Sequence, residues 1–281
     1  METLSQKFKR KRNNELKASE PSKSVEVKYR DELLKLINTL KSSMQERIRA
    51  FMEQKPTSDE LMLFVTSLIE EERKKEMMKY AFLLSSGVVF MANKINKERL
   101  SKIIGGDSDK NNVESLLPDV KEKLDEYISK NVSLITSVRS ELLENIEKEV
   151  RKSYLETGRV ENLATILQEK ADISRKRARV IARDQTNKIN SELDQERMQN
   201  LGIKLYTWQT SRDERVRSTH KIMQGLTCRF DDDSVYSKDG GKTWLKRTAK
   251  MPKVKPGIEI QCRCFANGVI NENKWKWLLG N

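Results

Sequence analysis

At 281 residues the chain is long enough for one large or two modest domains. Hydrophobic residues make up 36% and charged residues 35%, a balance that points to amphipathic helices and away from a fully buried sheet. A formal net charge of +13 predicts attraction to polyanions such as DNA, RNA or anionic lipid. The longest uncharged run, Tyr80 to Asn93, falls short of the ~20 apolar residues of a membrane span, so no span is expected.

Residues 1–24 read as a flexible basic arm. Lys7, Lys9, Arg10, Lys11 and Arg12 cluster there, apolar residues are few, and Pro21 closes the segment. A solvated tail and a tether to nucleic acid or an acidic protein surface fit it equally. No apolar stretch follows the basic residues, so a secretory signal is not expected and the cysteines should be reduced.

Residues 25–130 form a helical region in this reading. From Val25 to Met52, apolar residues such as Tyr29, Leu33, Ile37, Leu40, Met44 and Ile48 recur at three- and four-residue steps. Pro56 interrupts, and Thr57 with Glu60 forms a capping box for a second helix running towards Ile95. The uncharged run around Phe82, Leu83, Val88 and Phe90 lies within it and reads as buried. Gly105-Gly106 and the polar stretch to Asn112 predict a loop, and Pro118 opens a short helix containing Leu124, Tyr127 and Ile128.

Residues 131–202 continue helical: one helix from Leu134 to Gly158, a short one through Val160 and Leu167, and a third capped by Ser174. The third carries Ala178, Ile181, Ala182, Ile189, Leu193 and Met198 on its inner stripe and ends at Gly202. Residues 203–281 change character. Ile203 to Gln209 predicts a strand, Asp239-Gly240-Gly241-Lys242 a hairpin turn between Val235-Tyr236 and Thr243-Trp244, and Ile258 to Phe265 a strand after the Pro256-Gly257 turn. The expected class is α+β: a mainly helical first two-thirds and a small C-terminal α+β module.

The single histidine and all three cysteines fall in that module. His220, Cys228, Cys262 and Cys264 make up a Cys₃His set suited to zinc, and a metal would compensate for a small core. The Cys262-x-Cys264 spacing is tighter than that of usual structural sites, and the same residues also read as small buried hydrophobes beside a hydrogen-bonded histidine. Asp213, Arg217 and His220 would share one face if Asp213 to Met223 were helical. They could then act as a hydrolytic site or brace the helix to the sheet. Two basic groups are candidates for nonspecific DNA contact: Arg175, Lys176, Arg177 and Arg179, and Lys242, Lys246, Arg247 and Lys250 near Trp244. No sequence-reading motif accompanies them.

In their joint order these residues resemble the Mu F-like minor head proteins, or head morphogenesis proteins, of tailed bacteriophages. The resemblance runs from Ala182-Arg183 with Thr186 and Asn187, through Gly202, Tyr206-Thr207-Trp208, Asp213, Arg217, His220 and Gly225, to Pro256-Gly257 and Cys262-Arg263-Cys264. It implies a minor capsid protein of the virion, without enzymatic activity, that associates with the portal and with the major capsid or scaffold protein and handles packaged double-stranded DNA. Its expected place is inside the head near the portal, and the host cytoplasm during assembly. Cys228 lies outside the family pattern, so a family-wide metal site would use Asp213, His220, Cys262 and Cys264, with zinc as its ion. Trp208, Asp213, Arg217, His220, Gly225, Cys262, Arg263 and Cys264 would shape the module, with Asp213 and Arg217 as a paired brace. The rival reading is a metal-dependent nuclease or phosphoesterase using His220 and Asp213.

Overall fold

A computed structural model of the chain describes residues 15–105, 117, 120–160 and 162–270. In chain order these form β1 (Glu15–Leu16), α1 (Lys23–Met52), α2 (Ser58–Lys74), α3 (Met78–Gly105), α4 (Lys121–Thr157), α5 (Leu163–Asn200), β2 (Leu205–Gln209), α6 (Ser218–Lys221), β3 (Thr227–Arg229), β4 (Val235–Tyr236), β5 (Leu245–Lys246) and β6 (Phe265–Val269). The class is α+β, with long helices and a small C-terminal sheet. The chain divides into two compact units, one drawn from residues 23–89 and 125–185, the other from 1–22, 90–124 and 186–281.

The first unit is helical. α1 buries Val25, Tyr29, Leu33, Ile37, Leu40, Met44 and Ile48, one residue per turn along a single stripe. α2 opens on the capping box: Thr57 accepts the Glu60 N–H, and the Glu60 carboxylate accepts the Thr57 N–H at 2.7 Å. Its buried face carries Leu61, Val65, Leu68, Ile69 and also Glu72. That carboxylate meets Arg139 of α4 at 2.7 Å, with only 4% and 8% of the two side chains exposed. Tyr29 Oη donates to Asn131 Oδ1 at 2.9 Å, and Ser85 Oγ to the Ile128 carbonyl at 2.9 Å, so these two buried hydroxyls find partners on a neighbouring helix.

Several boundaries differ from the sequence reading. The helix expected from Thr57 to Ile95 is two helices, because the charged stretch Glu70 to Glu76 carries no apolar stripe and Lys75 turns out of helical geometry. The uncharged run is buried on one side only: Ala81, Val88 and Val89 are covered, whereas Phe82 and Leu83 are more than half exposed. α4 is continuous, since Ile128, Val132, Ile135, Val138 and Leu142 keep one stripe where a break was expected. α5 is likewise one helix. Ser174 is not a cap but a buried interior residue that fills the stripe between Ala171 and Ala178. Pro118 and the loop residues 106–112 lie outside the described residues.

The second unit holds an antiparallel sheet in the order β1-β6-β2-β3. β2 and β6 pair in register from Leu205↔Val269 to Gln209↔Phe265, and Tyr206 sits opposite Cys228 on β3. β4 and β5 form a separate ribbon, with Val235 opposite Lys246. The hairpin therefore closes two residues later than expected, around an Asp239 carboxylate that accepts the Lys242 and Thr243 N–H groups. The last strand begins at Phe265, so Cys262 and Cys264 precede it in a loop. α5 ends in a Schellman turn: Ile203 N–H bonds the Met198 carbonyl and Gly202 N–H the Gln199 carbonyl, with Gly202 at φ +76°.

The described end of the expected flexible arm is built into this unit. Glu15–Leu16 pairs with β6, Leu16 is fully buried, and the Ser19 N–H donates to Asp194 at 2.7 Å. A free sheet edge and a buried carboxylate give this short segment fixed partners. The basic cluster at residues 7–12 lies outside the described residues.

Candidate functional site

The sheet sets the site's floor. Trp208 on β2 is wholly buried and presents its indole to the His220 ring edge-on, 5.6 Å between centroids at 81°. The Gly225 N–H bonds the Trp208 carbonyl, returning the chain from His220 to β3. His220 sits in α6, a single turn; the longer helix expected from Asp213 does not form, and Arg217 stands at its N-cap position.

Opposite lies the loop from Pro256 to Cys264. Gly257 has φ +87°, and a Cβ there would come within 2.2 Å of Ser191 Oγ, so only glycine lets the loop lie this close to α5. Gln261 also adopts a left-handed backbone, φ +57°, where the chain turns into Cys262. Cys262 N–H closes the turn on the Glu259 carbonyl at 2.9 Å, and Cys264 N–H points back to Cys262 Sγ at 3.4 Å.

The result is a buried triad of soft-ligand atoms. Cys262 Sγ lies 3.5 Å and Cys264 Sγ 3.4 Å from the same nitrogen, His220 Nδ1. All three atoms lie within 4.8 Å of one another, and all three residues are buried. His220 Nε2 meets the Glu259 carboxylate at 3.1 Å. A carboxylate only accepts, so Nε2 carries the proton and Nδ1 turns towards the sulfurs. The Cys264 thiol, His220 and the backbone N–H groups of Cys264 and Gly257 draw the Cys262 pKa well below the ordinary thiol range, against the effect of burial. Cys262 and burial in turn push the Cys264 thiol up, since two like charges cannot share the space uncompensated. The Cys262 sulfur and Glu259 hold the imidazole above its ordinary range, against the effect of burial.

The other expected ligands lie elsewhere. Asp213 does not join the triad: its carboxylate pairs with Arg263 at 2.5 Å and accepts the Arg215 N–H. The expected Asp213–Arg217 brace is replaced by two braces, because Arg217 pairs with Glu259 at 3.1 Å and donates to the Ile260 carbonyl. Cys228 is buried on β3 near Tyr206 and Arg247, and burial pushes its thiol up.

The basic candidates divide. Arg175 is held by Asn38 and Asp172, and Arg177 by Ser137 and Glu141. Arg247 donates to the Pro252 and Val254 carbonyls and lies over Trp208. Lys176, Arg179, Lys242, Lys246 and Lys250 are exposed.

Two features escaped the sequence reading. Glu259 was one acid among many, although its position three residues before Cys262 was visible. The second is a buried polar cluster: Asp194 of α5 accepts from Ser19 N, Ser19 Oγ and Asn96 Nδ2, with Asn190 and Arg197 alongside. The available signal was polar residues at positions 190, 194 and 197, next to the apolar stripe of Ile189 and Leu193.

Residues 144–267 match the family described as phage Mu protein F like protein. This stretch is a Mu F-like region. It contains His220, Glu259, Cys262 and Cys264, together with Asn190, Asp194 and Arg197; Ser19 and Asn96, which complete the polar cluster, lie outside it. The chain is also similar to an uncharacterized protein of Haemophilus influenzae, 24% identical over 280 residues, which is 95% of this chain and 58% of that relative. No solved structure matches the chain.

Proposed function

We propose that this is a minor head protein acting in the head morphogenesis of a tailed bacteriophage. The observation that carries the proposal is the Mu F-like match over residues 144–267, which encloses the sheet centre, the thiol–imidazole triad and the braces around it. In this reading the protein resides in the virion, inside the head near the portal, after passing through the host cytoplasm during assembly. Its role is structural, not catalytic. The Asp213–His220 pairing that a nuclease or phosphoesterase reading requires is not formed, since Asp213 is committed to Arg263 and His220 Nε2 to Glu259.

The partners in this reading are the portal and the major capsid or scaffold protein. Met78, Phe82 and Leu83 of α3 are 58%, 55% and 62% exposed, and such an apolar helix side favours burial against another protein. No helix among the described residues is long and apolar enough to cross a membrane. Double-stranded DNA would meet the exposed Lys176, Arg179, Lys242, Lys246 and Lys250 without reading sequence.

Head assembly in the presence of the Phe82→Ser/Leu83→Ser variant tests the partner surface. Reduced incorporation into heads with unchanged melting is expected; normal incorporation would count against it. Replacing Lys242, Lys246 and Lys250 with alanine should lower the slope of log affinity for DNA against log salt by roughly 2–3. Incubation with DNA and divalent ions covers the rival reading: cleavage lost in His220→Ala would overturn the structural role.

A further inference from the structure

We propose that His220 Nδ1, Cys262 Sγ and Cys264 Sγ bind one zinc ion, with Glu259 as the outer carboxylate that orients the imidazole. The ion would staple the loop before β6 to the single-turn α6. Zinc bonds sulfur at about 2.3 Å and imidazole nitrogen at about 2.0–2.1 Å, so a tetrahedral ion holds nitrogen and sulfur about 3.5 Å apart. Both sulfurs stand at that separation from Nδ1, at 3.5 and 3.4 Å.

Hydrogen bonding alone accounts less well for this arrangement. With Nε2–H given to Glu259, Nδ1 has a single in-plane position, a lone pair or an N–H, yet two sulfurs converge on it. A cation among the three atoms satisfies all of them at once. Binding displaces the thiol protons, and the dication compensates the two adjacent thiolates that result. The carboxylate–histidine contact at 3.1 Å is the outer-shell feature that metal-bound histidines commonly show. The surrounding backbone is shaped for the purpose: Gln261 at φ +57° and the Cys264 N–H directed at Cys262 Sγ set both thiols towards one point. Two thiolates and an imidazole select zinc over magnesium or calcium, which prefer oxygen ligands. Asp213 and Cys228 take no part. Among the described residues no fourth histidine, cysteine, aspartate or glutamate joins the group, which leaves one coordination position for a ligand from outside this set.

The full chain, purified without added chelator, should contain close to one zinc per molecule by elemental analysis. Exchange with cobalt should give thiolate-to-metal charge-transfer absorption and the intense visible bands of a tetrahedral ion. Cys264→Ser and His220→Ala should lose both the metal and the bands, whereas Cys228→Ser should keep them. Glu259→Ala should weaken zinc binding about 10- to 100-fold, and Glu259→Gln, which still accepts from Nε2, should recover most of that loss. If the ligand variants do not fold, titration of the chelated wild-type chain decides: rebinding of one zinc with protection of two thiols from alkylation is expected. A metal-free chain that takes up no zinc and keeps its melting temperature under chelation overturns the site. So does a Cys228→Ser variant that loses the metal. Neither result bears on incorporation into heads, so the site and the proposed function fail separately.

Discussion

Removing the Asp194 carboxylate should have a penalty that shrinks as pH rises. Asp194 is 1% exposed and accepts the Ser19 N–H at 2.7 Å, the Ser19 hydroxyl at 2.9 Å and Asn96 Nδ2 at 2.8 Å. In Asp194→Ala, Asn96 keeps Asn190 Oδ1 at 3.1 Å and the Ser19 hydroxyl can turn to the same oxygen at 3.3 Å. The Ser19 N–H has no such alternative. One orphaned backbone donor costs about 1–3 kcal/mol, and loss of the remaining bonds and packing adds a similar amount.

Burial raises the Asp194 pKa to about 7, against the pull of Asn96, Ser19 and the Arg197 charge. The folded pKa lies above the unfolded one, so the protonated acid's contribution is complete below pH ~3.9 and is lost as pH rises through about 7. At 1.36 kcal/mol per unit, the wild type loses about 3 kcal/mol between pH 5 and pH 8 that the alanine variant does not. Urea unfolding of both proteins at these two pH values measures it. The variant should be about 3–5 kcal/mol less stable at pH 5 and much closer to wild type at pH 8. A penalty that grows with pH would mean that the donors outweigh burial and hold the carboxylate ionised, which refutes the reasoning.

Glu72→Ala strands the Arg139 guanidinium at 8% exposure and should destabilise the helical unit by about 3–5 kcal/mol. Replacing both partners by apolar residues of similar volume should recover most of this in thermal melts. Gly257→Ala places a methyl against Ser191 Oγ at 2.2 Å and at φ +87°; the loop should shift, seen as faster amide exchange at Cys262 and Cys264. Thr57→Ala removes the capping box of α2 and should cost about 1 kcal/mol in the unfolding midpoint, with an unchanged denaturant slope.

The sequence by itself determined the helices of the first two-thirds, the cap at Thr57 and the C-terminal switch to strands. Each rests on neighbours in the chain: apolar spacing, a hydroxyl and a carboxylate three residues apart, a β-branched and aromatic run. Residue type alone also singled out His220 and the three cysteines, but did not separate Cys228 from the pair that meets the imidazole. Boundaries inside α4 and α5 went the other way, because the signals for breaks are weak local preferences that burial of a continuous stripe overrides at Ser174. Tertiary structure alone decided which acid meets which base. Asp213 and Arg217 are near in sequence yet bind Arg263 and Glu259, more than forty residues away, because β6 and the loop before it bring those partners alongside. The anchoring of Ser19 to Asp194, 175 residues apart, has the same origin. A side chain's chemical type is written in the chain, but the partner that completes it depends on distances set by packing.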